Sequence, residues 1–233
     1  MDEELLLNDQ IKVERKLERL AEEYKKGGGR DKVIIERETV LFEKLRDALS
    51  AGTPLRDISL TIEEETTFSG FGFLSRKPLL ILLNLGEGRA QPEIQYDHQR
   101  SQIVGLQGKL EMDLGQLSDE DAALFMQEYG IEELGLSRMI RASYDLLGLL
   151  SFFTIGEDEV RAWTVRRGAL APEAAGEVHT DFQKGFIRAE VITFNDLMEA
   201  GSMAEGRSKG KLRLEGKQYP VQDGDIISIR FNA

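Results

Sequence analysis

The first fifty residues place apolar side chains at helical spacing, with charged side chains between them. One set of apolar positions recurs every seven residues: Leu6, Val13 and Leu20. The intervening heptad positions hold Leu17 and Tyr24. This periodicity predicts one helix over residues 2–26. Gly27–Gly29 cannot continue a helix without a large entropic cost, so this segment predicts a turn.

A second apolar stripe follows the glycines and predicts a helix over residues 31–50. Its members are Ile34, Leu41, Leu45 and Ala48. Two helices joined by a short turn form an antiparallel hairpin, and the heptad spacing here is typical of a coiled coil. The hairpin is either a solvated arm with one apolar seam or a docking arm for a large partner, because both need the same seam.

The central region alternates turn signals with short apolar runs. Thr61 and Glu64 have capping-box spacing and predict the start of a short helix. The run Phe68–Phe73, FSGFGF, predicts a loop, and it lacks the lysine and Ser/Thr of a phosphate-binding loop. The continuous apolar run Leu79–Leu83 predicts a central strand of a parallel sheet, and Ile103–Leu106 predicts the next strand.

Two helices are predicted after these strands. Ser118 with Asp121 caps a helix that ends near Tyr129, where Gly130 follows. A further helix over Ser137–Leu147 carries four apolar or aromatic positions toward a core: Met139, Ile140, Tyr144 and Leu147.

The stretch Glu177–Ile192 joins a helical pattern to a strand pattern, with Gly185 at the break. The positions that define the two patterns are Val178, Phe182, Ile187, Ala189, Val191 and Thr193. Upstream, Phe152–Val165 predicts a hairpin, and downstream Lys211–Phe231 predicts two short strands around the tight turn Gln222–Asp225. Strands before and after one helix predict a small β-grasp-like sheet.

Composition and charge narrow the class of protein. The 233 residues are 41% apolar and 31% charged, so the chain can bury a core and is not disordered by composition. The absence of cysteine, an acidic first segment and short apolar runs predict a cytoplasmic protein with no membrane partner. The net charge is −12, and residues 151–233 contribute only −2 of it, from 11 Lys/Arg and 13 Asp/Glu. Such a chain has no long-range attraction to DNA, which is not expected as a partner, and any contact with RNA needs a local basic patch.

One candidate ligand site follows the strand Leu79–Leu83. Ligands of open α/β sheets collect at the carboxyl ends of strands, where this chain has Asn84. A carboxamide offers both a donor and an acceptor to the edge of a purine base. The only histidines, His98 and His179, are far apart in sequence, and no nucleophile–base pair stands out, so we expect no catalytic residue and no metal site.

A second candidate is a group of basic residues near the C-terminus: Arg161, Arg166, Arg167, Lys184 and Arg188. They either form one basic face that contacts the phosphates of RNA, or they are separate solvated charges. In the second case we expect ion pairs with Glu159, Asp181 and Glu190.

Four sequence words carry a resemblance to a known family. They are RAWTV at 161–165, APEAAG at 171–176, HTDFQKGFIRAE at 179–190 and VQDGD at 221–225. The chain resembles the C-terminal two-thirds of the YchF or Obg-like ATPases, whose last domain belongs to the TGS class of β-grasp modules. The resemblance implies an α/β plus α+β protein with a helical hairpin arm over 1–75, the second half of a nucleotide-binding domain over 76–150, and a TGS-like domain over 151–233.

The resemblance also gives functional expectations. Asn84, Leu85 and Glu87 match the family's Asn-x-x-Glu base motif, which implies a preference for ATP. Lys109–Glu111 resembles the family's loop that closes over the base. The implied partners are ribosomes or translation factors, with the basic residues as RNA contacts. ATP and Mg²⁺ are the cofactors implied for the complete family protein.

The printed sequence contains no G-x-x-x-x-G-K-[ST] motif, which such an ATPase uses to hold phosphates and Mg²⁺. We therefore expect no cofactor for this chain alone, no ATP hydrolysis, and at best millimolar ATP binding. The open edge of the partial sheet predicts cover by a homodimer or by a partner that supplies the missing domain. Three functions stay open: a ribosome- or translation-associated binding module, a piece of a complete ribosome-binding ATPase, and a scaffold or regulatory β-grasp module.

Overall fold

A computed structural model describes residues 2–27, 29–86, 88–156 and 159–232. The helices are α1 Asp2–Lys26, α2 Lys32–Ser50, α3 Ile62–Phe68, α4 Gly108–Leu114, α5 Asp119–Glu128, α6 Gly135–Leu147, α7 Ala171–Val178, α8 Thr180–Lys184, α9 Phe194–Ala200 and α10 Met203–Ser208. The strands are β1 Leu79–Asn84, β2 Ser101–Leu106, β3 Leu149–Ile155, β4 Val160–Arg166, β5 Phe186–Thr193, β6 Arg213–Glu215 and β7 Asp225–Phe231. None of the helices in these ranges is both long and apolar enough for a transmembrane span.

The chain divides into two compact units, residues 1–139 and 140–233, with the division inside α6. The first unit contains the helical arm and the β1–β2 pair. The second contains a five-stranded sheet. The mixed helix and sheet content agrees with the predicted fold class. The three-part domain division drawn from the sequence stays a prediction.

The arm is the predicted helical hairpin, and its bounds agree with the sequence pattern to within one residue. Val13 and Leu20 are fully buried, and Asp31 caps α2 by accepting a hydrogen bond from Val33 N–H. The buried stripe of α2 differs from the predicted one, because Ile35, Phe42 and Leu49 are buried together with the expected Leu41 and Leu45. Ile34 and Tyr24, which the periodicity assigned to the seam, are 48% and 42% exposed.

The phenylalanines of the FSGFGF run belong to the core of the arm, which the sequence analysis did not predict. Phe68 ends α3, residues 69–71 form a 3₁₀ turn, and Gly72 takes a left-handed conformation (φ 59°). Phe68 and Phe73 are buried, and the ring of Phe71 lies 5.0 Å from that of Phe42. Each ring therefore buries area against the two long helices, and the loop closes the arm.

A buried carboxylate fixes the next segment to α1. Asp9 is fully buried and accepts hydrogen bonds from Leu74 N–H at 2.9 Å, Ser75 N–H at 2.7 Å and the Ser75 hydroxyl at 2.7 Å. Charge-assisted bonds of this kind are stronger than neutral ones, and an unpaired buried carboxylate would be costly. Asp9 therefore joins two segments about 65 residues apart.

The predicted strands β1 and β2 pair in parallel, from Leu79 opposite Ser101 to Asn84 opposite Leu106. The predicted parallel pairing forms, but β1 is not a central strand in the described residues. It pairs with β2 alone in the described residues, and Leu82 is 45% exposed. A continuous apolar run is typical of a strand that is buried on both faces, but the described residues bury β1 only partly.

The second unit is a β-grasp sheet with strand order β4-β3-β7-β5-β6. The hairpin β3–β4 comes first, helices α7 and α8 follow, and β7 returns between β3 and β5, parallel to β3. Lys211–Phe231 is not a hairpin, contrary to prediction, because β6 and β7 pair with opposite sides of β5. The turn at 222–225 does form, and the buried Asp225 accepts hydrogen bonds there from Gln222 N–H and the Tyr219 hydroxyl.

The two faces of this sheet differ. On one face, Phe152, Ala189 and Val191 are fully buried in the cluster that contains α7. On the other, Ile192 and Ile226 pack with α9 at one end of the sheet. Three positions predicted to face a core are instead about half exposed: Ile140, Leu147 and Ile187.

Candidate nucleotide-base site and RNA-contact residues

Asn84 lies at the carboxyl end of β1, where the sequence predicted a base-reading side chain. Its Oδ1 accepts a hydrogen bond from Gly108 N–H at 3.2 Å, at the first residue of α4. Leu85 N–H donates to the carbonyl of Leu106 at 2.8 Å, so Leu85 continues the strand pairing. Glu87, the third predicted residue, lies outside the described residues. The structure thus brings Asn84 and Leu85 to one edge beside β2 and α4, with the Asn84 oxygen already engaged.

The same edge is lined by side chains that bind the β2 backbone. Gln91 Oε1 accepts from Gly105 N–H at 3.0 Å, and Arg138 Nη2 donates to the Gly105 carbonyl at 2.9 Å. A Cβ atom at Gly105 would lie 2.5 Å from Gln91 Oε1, so only glycine fits here without movement. Sequence reasoning missed both Gln91 and Arg138, because neither carries a motif and both act through long-range contacts.

The segment Lys109–Glu111, which resembles a base-closing loop, is helical and lies in the first turns of α4. The carboxylate of Glu111 accepts from Gly135 N–H at 2.9 Å and Leu136 N–H at 3.0 Å. It therefore caps α6. In this structure the segment supports a neighbouring helix and does not lie across the strand ends as a loop.

The fit of this edge to a whole nucleotide is partial. The carboxamide of Asn84 suits a purine edge, since its amide nitrogen remains a donor. In the described ranges no group of three or more His, Asp or Glu residues is arranged to hold a metal ion. Base reading by Asn84 and Leu85 stays a prediction.

The arm carries a groove of about 850 Å³ along α2 and α3. Exposed apolar side chains contribute to its wall, with Val33 52% and Val40 67% exposed. Carboxylates line it as well: Glu36, Glu38, Glu63 and Glu64. The groove therefore combines apolar side chains with carboxylates, but it also contains Arg37, and Glu38 is already paired with Lys16 and Arg30.

The structure does not gather the five predicted basic residues on one face of the second unit. Arg161 lies opposite Thr154 on the α7 face of the sheet, with its guanidinium 4.2 Å from the Trp163 ring centroid. Arg166, five residues later, points to the other face because strand side chains alternate. Arg167 pairs with Asp145 at 3.1 Å.

The remaining two lie near β5. Lys184 ends α8, and Arg188 lies on the outer face of β5, opposite Arg230 of β7. Arg166 is opposite Leu149 at the start of β3, whereas Arg230 lies near the end of β7, which runs parallel to β3. Arg166 and Arg188 therefore lie at opposite ends of the sheet. RNA contact by the five residues stays a prediction.

An arginine cluster that the sequence analysis missed lies beside Arg188. The carboxylate of Glu190 accepts two bonds of 2.9 Å from Arg207 Nη2 and one of 3.2 Å from Arg230 Nη2. The period-two alternation of β5 and β7 could have revealed Arg230 as a neighbour of Arg188. Arg207, in α10, carries no such signal.

Two other polar residues have structural roles. His179 caps α8, since its Nδ1 accepts from Asp181 N–H at 3.2 Å, as expected of a structural histidine. Burial, followed by the hydrogen bond to Asp225, raises the pKa of the Tyr219 hydroxyl to about 12. Tyr219 is therefore a neutral donor that stabilises the turn before β7.

The helical arm, the parallel strand pair ending in an asparagine and the β-grasp sheet define a protein with α/β nucleotide-binding and TGS-like parts. A family model described as "YchF-GTPase_C: Protein of unknown function (DUF933)" matches residues 149–232. The chain is homologous to the C-terminal part of the YchF proteins.

Similar proteins extend the match over nearly the whole chain. The chain is 38% identical to "Ribosome-binding ATPase YchF" of Bacillus subtilis (strain 168) and 40% identical to the protein of that name from Escherichia coli O157:H7. Both alignments cover 98% of this chain, which spans 64% of the length of these relatives. A solved structure described as the Schizosaccharomyces pombe YchF GTPase has a TM-score of 0.81 at 27% identity and covers 98% of the chain, which covers 64% of it.

Proposed function

We propose that this chain is the partner-binding part of a ribosome-associated ATPase that acts in the cytoplasm. The observation that carries the proposal is the homology, over 98% of the chain, to proteins named ribosome-binding ATPases. The β-grasp unit and the helical arm would supply the contacts, to ribosomal RNA or to translation factors. Association does not require nucleotide in this proposal.

The nucleotide part of the proposal concerns the edge beside β1. Asn84, Leu85 and Glu87 would read the adenine base, because the carboxamide donor of Asn84 suits a purine. Most affinity for ATP comes from its phosphates and Mg²⁺, for which the printed sequence has no P-loop motif. ATP binding by the 233-residue polypeptide would therefore be millimolar at best, and hydrolysis would require a P-loop segment in the same or another chain.

Co-sedimentation of the pure chain with ribosomes and separated subunits tests the partner. We expect binding that weakens steeply as salt rises and that is the same with and without ATP. A parallel assay of phosphate release from ATP should give no signal above buffer. The absence of sedimentation at low salt would exclude autonomous ribosome binding by this chain, and clear ATP turnover would overturn the nucleotide proposal.

A scaffold function of the arm is the second candidate, and the groove along α2 and α3 favours it. Its exposed valines and its carboxylates complement a basic segment of a partner protein. Replacing Val33 and Val40 with lysine should abolish capture of purified basic ribosomal proteins. Replacing Leu124, which is 65% exposed on α5, with lysine should not. Equal capture by all three proteins would exclude this candidate.

A further inference from the structure

Strand β4 forms one edge of the five-stranded sheet, and in the described residues no strand pairs with its outer side. It is seven residues long, and it pairs with β3 without a register shift, from Leu149 opposite Arg166 to Ile155 opposite Val160. The strand at the other edge of the sheet, β6, has only three residues. Edges that stay unpaired are commonly short, bulged or interrupted by proline, and β4 has none of these features.

Hydrogen bonds at the two ends of β4 identify the backbone groups that point away from the sheet. Arg167 N–H donates to the Gly148 carbonyl at 2.7 Å, and the Glu159 carbonyl accepts from Gly156 N–H at 2.8 Å. Arg167 and Glu159 therefore direct these groups toward β3, and the direction alternates along an antiparallel strand. The residues whose backbone N–H groups point to the open edge are the even-numbered ones: Val160, Ala162, Thr164 and Arg166.

A second copy of β4 fits this edge in an antiparallel register. The register that overlaps the whole strand is centred on Trp163. It places Ala162 opposite Thr164 of the second copy, and Val160 opposite Arg166, so the outward-pointing backbone groups meet as hydrogen-bonded pairs. Trp163 then lies opposite its own equivalent in the closer, non-hydrogen-bonded type of pair, where two aromatic rings interact well.

The charges along the edge agree with the same register. The exposed Glu159 precedes β4, and the exposed Arg167 follows it. In the antiparallel pair each Glu159 lies opposite Arg167 of the second copy, and Arg161 lies opposite Val165. No two like charges are therefore opposite each other, and two pairs of opposite charge form at the ends of the interface.

We propose that the β4 edge is a self-association surface, at which two copies of the chain join their β-grasp sheets into one continuous sheet. The edge is acidic at one end and basic at the other, so it complements its own reverse. A uniformly acidic or basic strand of another protein would meet a like charge at one end. Because the interface is isologous, each contact occurs twice. An interface one strand wide is small, so the dimer should be weak and dependent on concentration.

Sedimentation velocity of the full 233-residue chain over a range of concentrations tests the proposal. We expect the unmodified chain to convert from monomer to dimer as its concentration rises. Glu159→Arg or Arg167→Glu alone places like charges opposite each other at both ends, so each should weaken the dimer by about tenfold or more. The control Glu128→Arg, on the exposed side of α5, changes the net charge as Glu159→Arg does and should alter the affinity by about twofold or less.

Mixing the two charge variants gives a test that loss of folding cannot mimic. In an equimolar mixture the introduced arginine faces the introduced glutamate at one end, and the native Glu159–Arg167 pair remains at the other. The mixture should therefore form a dimer at concentrations at which each variant alone is a monomer.

Two further measurements locate the interface. Trp163 is the only tryptophan and is partly buried, so its emission should shift to shorter wavelength as the dimer forms. Ala162→Pro removes an outward-pointing N–H and no bond to β3, so it should give a monomer whose circular dichroism is unchanged.

Three results would overturn the proposal. A monomer at every concentration would leave the edge to a strand of a different protein. A dimer that neither charge variant weakens would place self-association elsewhere, such as the open edge of β1. A mixture of the two variants that stays monomeric would exclude the register centred on Trp163. Ribosome association does not enter any of these measurements.

Discussion

The two compact units reach stability in different ways. In the second, one five-stranded sheet carries an apolar core in which Phe152, Ala189 and Val191 are fully buried. In the first, the apolar core lies in the helical arm, and the β1–β2 pair leaves Leu82 45% exposed. The arm is also tied by a buried charged residue, Asp9, to a segment far away in sequence.

The comparison shows that strand sequence alone does not set burial. LLILL of β1 is more apolar than FIRAEVI of β5, yet β5 contains the fully buried residues. Strands on both sides and helices on both faces bury β5. In the described residues β1 has a single neighbour, which leaves one edge for cover by another chain or segment.

The largest expected effect comes from removing a buried aromatic ring from the core of the second unit. Phe152→Ala removes a fully buried ring, so we expect a loss of about 3–5 kcal/mol in unfolding free energy. The fluorescence of Trp163, the only tryptophan, reports on this core in urea titrations. As the control, Leu82→Ser on β1, followed by far-ultraviolet circular dichroism because Trp163 lies in the other unit, should change the free energy by about 0.5 kcal/mol or less. Comparable losses in both variants would contradict the contrast between the two sheets.

The next effect concerns the polar tie in the first unit. Asp9→Ala leaves the part-buried Leu74 N–H, the buried Ser75 N–H and the Ser75 hydroxyl without their acceptor. We therefore expect a loss of about 3 kcal/mol in unfolding free energy, followed by far-ultraviolet circular dichroism. Glu14→Ala, on the exposed side of α1, should change little. A small effect of Asp9→Ala would show that the aromatic cluster closes the arm without the carboxylate.

The smallest expected effect is a pH dependence of the unfolding free energy of the second unit. The pKa of Tyr219 is raised from 10.0 to about 12 in the folded protein. Its neutral form therefore contributes stability that is complete below about pH 10 and is lost as the pH rises toward 12. The difference in unfolding free energy between the unmodified chain and Tyr219→Phe should shrink over this range. A constant difference would show that the hydroxyl titrates alike in both states.

Local patterns predicted most elements of secondary structure. The heptad positions Val13 and Leu20 predicted α1, and the capping box at Thr61 predicted the start of α3. Strand pairing in the second unit was harder to predict. The Asp-Gly turn at 223–224 predicted a hairpin, but β7 inserts between β3 and β5.

The sequence by itself therefore determined where helices, strands and turns lie, and that Asn84 follows a strand. Those features depend on neighbours within a few residues. Only the tertiary structure decided that Arg166 and Arg188 lie at opposite ends of the sheet, that Glu190 collects Arg207 and Arg230, and that the FSGFGF rings close the arm. Each of these depends on contacts between segments distant in the chain, and residue spacing carries no record of such contacts.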